Sequence, residues 1–146
     1  MPQLATNYIA TGKVVYIFYQ LPLNSIHPNA QITAEASECA GRQGKFWEMH
    51  DVIFERQAEW SGSAAALPIL KGYATELGLD AAAFESCLSG NETAARVQAD
   101  SSFASSLGIT GTPFFLFNSK GQILYANGAM PYSSLQQGLD GLLANP

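Results

Sequence analysis

Apolar residues recur at two periods along this chain, and the places where the period changes divide it into elements. Leu4, Tyr8 and Ile9 fall at i, i+4 and i+5, so residues 2–10 read as the end of a helix closed by Gly12. Residues 13–21 (Lys-Val-Val-Tyr-Ile-Phe-Tyr-Gln-Leu) are β-branched and aromatic almost throughout, which predicts a strand buried on both faces of a mainly parallel sheet and ended by Pro22. The loop from Leu23 to Pro28 leads into a helical stretch where Ile32, Ala36, Cys39 and Ala40 share a face, and Gly44 marks a break. Phe46, Met49, Ile53 and Phe54 then repeat at helical spacing through Gln57. After Ser61-Gly62-Ser63, Pro68 suits a first helical turn, Leu70, Tyr73, Ala74 and Leu77 form one stripe, and Gly78 falls just past its end. Asp80 reads as the N-cap of a short helix through Leu88, and Ala95, Ala99, Phe103 and Leu107 predict the buried face of one more helix, stopped by Gly108.

From Ile109 the pattern shortens. Phe114 to Phe117 reads as a strand, Asn118-Ser119-Lys120-Gly121 as a tight turn and Gln122 to Ala126 as a second strand, which together predict a β-hairpin. Tyr132, Leu135, Leu139 and Leu142 form the apolar stripe of a closing helix. The order is helix, strand, helical block, strand, turn, strand, helix, without repeats or linkers.

Composition fits this picture of a single domain: 146 residues, 47% hydrophobic and 13% charged. A net charge of -5 with only seven scattered Lys and Arg argues against tracking a nucleic-acid backbone. No apolar run approaches the roughly 20 residues of a membrane span. No Gly-x-Ser-x-Gly elbow and no Cys-x-x-Cys occurs, so neither a serine nucleophile nor a catalytic dithiol is visible. His27 and His50 have no ligand spacing to each other or to the two cysteines, and no metal or other cofactor is expected. His50 reads as a hydrogen-bonded structural histidine, and Trp47, Trp60, Tyr16, Phe18 and Tyr19 as core and rim packing. Asp51, Glu55 and Glu59 at helical spacing read as a solvated face.

Gly111-Thr112-Pro113 stands immediately before the apolar strand. It admits two readings: an ordinary trans proline at a strand entry, or a cis-proline loop that leaves nearby backbone groups open to an extended peptide. The element order is that of a thioredoxin fold with an all-helical insertion at about 29–107. Three segments carry a closer likeness: Ile26-His27-Pro28-Asn29-Ala30, the run from Gly41 to Asp51 (Gly-Arg-Gln-Gly-Lys-Phe-Trp-Glu-Met-His-Asp), and Gly108-Ile109-Thr110-Gly111-Thr112-Pro113-Phe114-Phe115. In this order they resemble the DsbA-like thioredoxin-fold thiol:disulfide oxidoreductase family. The resemblance implies an α/β fold across residues 1–146, disulfide formation or exchange in exported proteins, an extracytoplasmic setting, and extended or unfolded protein substrates held at Gly111, Thr112 and Pro113. It also implies that the family's first strand and catalytic Cys-x-x-Cys would precede Met1, so no catalytic residue is assigned within the chain.

Cys39 and Cys87 lie on different predicted helices and are not a dithiol motif. A structural disulfide, two buried thiols and a redox centre of their own are the readings open at this stage; some members of the family carry such a second, non-catalytic bridge. Two functions follow: a DsbA-like oxidoreductase domain inactive on its own, or a non-catalytic thioredoxin-like module that binds extended peptides. In a sheet without its first strand, residues 13–21 and 114–117 are expected either to close up and pair directly or to take in a segment from another chain, with self-association as one outcome.

Overall fold

The computed structural model describes residues 2–144, which fall into two units: a sheet unit, built from the residues up to Phe18 together with those from Ile109 onward, and a helical unit, Tyr19–Gly108.

The sheet unit starts with α1 (Pro2–Leu4), which passes into a π-helical turn over Ala5–Ile9, where the Ala10 N–H reaches back to the Ala5 carbonyl at 2.8 Å. Gly12 then takes φ +71°, a conformation that costs a residue without Cβ nothing, and the Lys13 N–H donates to the Tyr8 carbonyl at 2.9 Å. This reversal sends the chain out in an extended conformation. The hairpin follows the helical unit: β1 (Phe114–Ser119) pairs antiparallel with β2 (Gln122–Asn127), Phe114 opposite Asn127 and Ser119 opposite Gln122. Lys120 and Gly121 both have positive φ, 52° and 85°, as a two-residue type I′ turn requires. The last helix, α8 (Tyr132–Ala144), buries Leu135 and Leu139 against Leu4 and Tyr8, with Val14, Tyr16 and Phe117 packed around them.

One expectation fails here. Residues 14–23 form no strand, and Val15 and Ile17 expose 86% and 62% of their surface instead of being buried on both faces. An apolar run creates the demand for a sheet but does not supply the neighbouring strand, and the sheet of the described residues has only β1 and β2. Even side chains of residues 14–18 turn inward and odd ones outward, the two-residue period of an extended chain. Direct pairing of this segment with β1 does not occur.

The helical unit holds α2 (Ala30–Gly41), α3 (Phe46–Glu55), α4 (Gln57–Trp60), α5 (Ala66–Glu76), α6 (Ala81–Ser89) and α7 (Ala94–Ser106). Its core is centred on Met49, Leu70 and Phe84, which are fully buried. Asn29 donates to the carbonyls of Trp60 and Ser63 at 2.7 and 2.9 Å, fixing the loop after α4, and the Trp60 indole N–H donates to the Ile53 carbonyl at 2.8 Å. The Asp80 carboxylate accepts the Ala83 N–H at 2.9 Å and caps α6.

On α7 the apolar stripe is not the buried face. Ala95, Ala99, Phe103 and Leu107 are exposed, and the residues turned inward are Thr93, Val97, Asp100 and Ala104. Polar partners decide the phase. The Thr93 hydroxyl donates to the Glu35 carbonyl at 3.1 Å, and the Asp100 carboxylate accepts the Gln20 N–H at 3.1 Å and pairs with Arg96 at 3.4 Å. A buried carboxylate held by two such groups is satisfied, which an apolar-periodicity reading cannot anticipate.

Two phenols report on the packing of each unit. The Tyr8 hydroxyl donates to Asp140 Oδ1 at 2.6 Å, and this bond, with burial second, pushes its pKa from 10.0 up to about 12. Tyr73 is pushed up to about 12 by burial first and then by its bond to Glu59 Oε2 at 2.8 Å. A raised folded pKa stabilises the neutral phenol in the fold, so the contribution is complete below about pH 10 and is lost as pH rises towards 12. Tyr8→Phe is expected to remove part of the alkaline fall in melting temperature, and thermal unfolding scans across that window check it. A wild-type melting temperature that stays flat from pH 10 to 12 would contradict the linkage.

Candidate functional site

The segment between α7 and β1 is where the sheet unit offers backbone to the outside. Residues 109–113 form neither helix nor strand, and Thr110, Thr112 and Pro113 are exposed while Ile109 and Gly111 are half-buried. The Thr112–Pro113 peptide bond is cis. Pro113 has no N–H to offer, and its carbonyl already accepts the Gly128 N–H at 2.9 Å, which ties the loop to the end of β2. Gly128 sits at φ +89°, where a side chain would be strained. The four residues before Pro113 are different: no backbone group of residues 109–112 has a hydrogen-bond partner among the described residues. A short row of exposed N–H and C=O groups, anchored at one end and leading into a strand, can form a ladder with an extended polypeptide.

The sequence-assigned residues therefore fall into two places. Gly111, Thr112 and Pro113 belong to the sheet unit, Cys39 and Cys87 to the helical unit. The two sulfurs form a disulfide, S–S 2.05 Å, that links α2 to α6 with Cα atoms 5.9 Å apart. Both residues are buried, at 1% and 5% exposure, so neither sulfur faces solvent as an attacking thiolate must. The Thr93 hydroxyl lies 3.6 Å from Cys39 Sγ.

His50 Nδ1 lies 2.9 Å from Asp51 Oδ1, which accepts, and the His50 ring contacts those of Phe46, Trp47 and Phe54. Sequence reading missed that Phe54, which shares the spacing of the core residues Met49 and Ile53, is 59% exposed. Asp51, Glu55 and Glu59 are exposed along the same helical stretch. On α3, Lys45 Nζ lies 2.9 Å from Glu48 Oε1, and this bond lowers the Glu48 pKa.

Comparison with known proteins gives three results. Residues 1–140 match the family described as Thioredoxin. The crystal structure of Wolbachia pipientis alpha-DsbA1 superposes with a TM-score of 0.83 over 98% of this chain and 75% of that one, at 26% identity. Among curated proteins, the Na(+)/H(+) antiporter NhaA 1 of Salinispora arenicola is 40% identical over 105 residues, covering 72% of this chain and 15% of the antiporter. NhaA of Herminiimonas arsenicoxydans is 39% identical over 100 residues, again 15% of its length. This chain thus spans about 15% of the curated relatives it matches.

Proposed function

Since the chain belongs to the thioredoxin family, in its DsbA-like branch, we propose that it is the polypeptide-holding body of a thiol-disulfide oxidoreductase domain, in which residues 109–113 receive an extended segment of a protein substrate. The observation that carries this reading is the row of unpartnered backbone groups at residues 109–112, held in place by the Gly128 to Pro113 hydrogen bond. Both units are read as one domain interrupted by the helical unit. Cys39 and Cys87 serve as a structural cross-link, and the chain on its own performs no disulfide exchange. A buried disulfide suits an oxidising, extracytoplasmic setting. Backbone pairing reads shape and not side-chain identity, so many unfolded proteins qualify as substrates.

The test is an amide-detected NMR titration of the 146-residue chain with a permanently unfolded, carboxymethylated protein. Resonances of residues 109–114 are expected to shift in a saturable way. Binding that leaves these amides unmoved, or no binding by a chain that remains folded, would remove the loop from the function.

A further inference from the structure

The phase of strand β2 can be read from the hairpin. The Gly128 N–H donates to the Pro113 carbonyl at 2.9 Å, and the pairs Phe115–Ala126, Phe117–Leu124 and Ser119–Gln122 follow it at two-residue intervals. Hydrogen-bonded pairs alternate along an antiparallel ladder, so Gln122, Leu124 and Ala126 spend their backbone groups on β1 while Ile123, Tyr125 and Asn127 turn theirs away from it. Those outward groups meet no partner among the described residues. Side chains alternate between faces in the same way. Leu124, 42% exposed, lines an open cleft of about 270 Å³ with Gln137 and Gly138 of α8, and Ile123 and Tyr125 stand on the opposite face, 61% and 74% exposed. Edge strands that stay solitary carry lysine, proline or a bulge. From Gln122 to Asn127, β2 has none of these.

We propose that β2 pairs antiparallel with β2 of a second copy of this chain, Leu124 facing Leu124 across a two-fold axis. The strand is complementary to itself. A two-fold axis sets the same residues on both sides of the interface, which repels a charged edge but not this uncharged one. With Leu124 on the axis, Ile123 of each copy lies opposite Tyr125 of the other, a β-branched residue against an aromatic one in both pairs. These are also the residues whose backbone groups point outward. Lys120 falls opposite Gly128, so no like charges meet across the strands. An axis shifted to Tyr125 would set Ile123 against Asn127 and lose both apolar pairs. The pairing widens the two-stranded sheet of the described residues to four strands, a width at which sheets are ordinarily stable. The surface lies in the sheet unit and uses neither residues 109–113 nor the cysteines.

Sedimentation of the 146-residue chain at physiological ionic strength, which screens the repulsion between two chains of net charge -5, is expected to show a monomer–dimer equilibrium. Ile123→Lys and Tyr125→Pro are each expected to weaken it at least tenfold while far-ultraviolet circular dichroism stays that of the folded chain; the proline removes a donor that β1 does not use. Leu116→Lys, at an exposed position of β1, is expected to leave the equilibrium unchanged. Leu124→Cys reads the register, because directly opposed residues that exchange no hydrogen bonds stand about 4.5 Å apart at Cα, within disulfide range. Mild oxidation with diamide is expected to cross-link L124C into dimers and to leave I123C monomeric; Cys39 and Cys87 are already bonded to each other and supply no competing thiol. A chain that stays monomeric up to millimolar concentration would overturn the proposal. So would a dimer that survives both edge substitutions, or equal cross-linking of I123C and L124C. Protection of β2 from hydrogen exchange by a carboxymethylated unfolded protein, on a chain that remains monomeric without it, would make a foreign peptide the occupant and overturn it as well.

Discussion

Replacing Cys39 and Cys87 together by alanine is expected to lower the stability of the chain by about 4 kcal/mol on the chain-entropy account of a cross-link of this length. The two positions are 48 residues apart in sequence, so reduction frees a long loop in the unfolded state while the native contacts change little. The bridge joins α2 to α6, and both cysteines sit in the core of the helical unit. The loss should therefore appear in helix-detected unfolding. Urea unfolding of the double variant, and of the wild type with a phosphine reductant, should give matching midpoints well below that of the oxidised protein. Coincident midpoints with and without reductant would mean that the bridge contributes nothing to stability.

Phe84→Ala is the point substitution expected to cost most, about 3–5 kcal/mol for an aromatic ring removed from a closed core. Phe84 is fully buried on α6 between the capping residue Asp80 and Cys87, among Leu70, Tyr73 and Leu88. Its removal opens a cavity in the same buried cluster that holds both cysteines. Denaturant melts give the figure. A loss below about 1 kcal/mol would show that the core closes over the gap, contrary to the close packing described for it. Phe103→Ala supplies the contrast: Phe103 is 46% exposed on α7, its ring 5.2 Å from that of Tyr19. Its truncation should cost far less than that of Phe84.

Sequence carried the local order well and the nonlocal pairing poorly. The stripe Leu70, Tyr73, Ala74 on α5 and the stripe Leu135, Leu139 on α8 are buried as their spacing predicts, because one apolar face on a short helix has only one way to be covered. The hairpin was legible from the turn read at Asn118-Ser119-Lys120-Gly121 between two apolar runs, although Asn118 and Ser119 belong to β1 and only Lys120 and Gly121 make the turn. The phase of α7 was not, since Thr93 and Asp100 are turned inward by partners 58 and 80 residues away in sequence. Residues 13–21 misled for the same reason, as their apolar content says nothing of which strand lies beside them. For the candidate site, Gly111-Thr112-Pro113 stood out by its place before the strand. The unpartnered groups of Ile109 and Thr110 and the tie from Gly128 to Pro113 could be seen only in three dimensions. That Cys39 and Cys87 meet was one of three open readings, because spacing alone does not bring two helices together.

The central claim separates holding from chemistry: residues 109–113 receive polypeptide, and the two cysteines do not exchange disulfides with it. An insulin-reduction assay with dithiothreitol tests this most directly, run on the wild-type chain beside Cys39→Ser, Cys87→Ser and a competent thioredoxin-like enzyme. The account predicts that insulin precipitates in the presence of the 146-residue chain no faster than with dithiothreitol alone, and that neither substitution changes the rate. Turnover comparable to that of the competent enzyme, abolished by Cys39→Ser or Cys87→Ser, would contradict it and make the buried pair the catalytic centre.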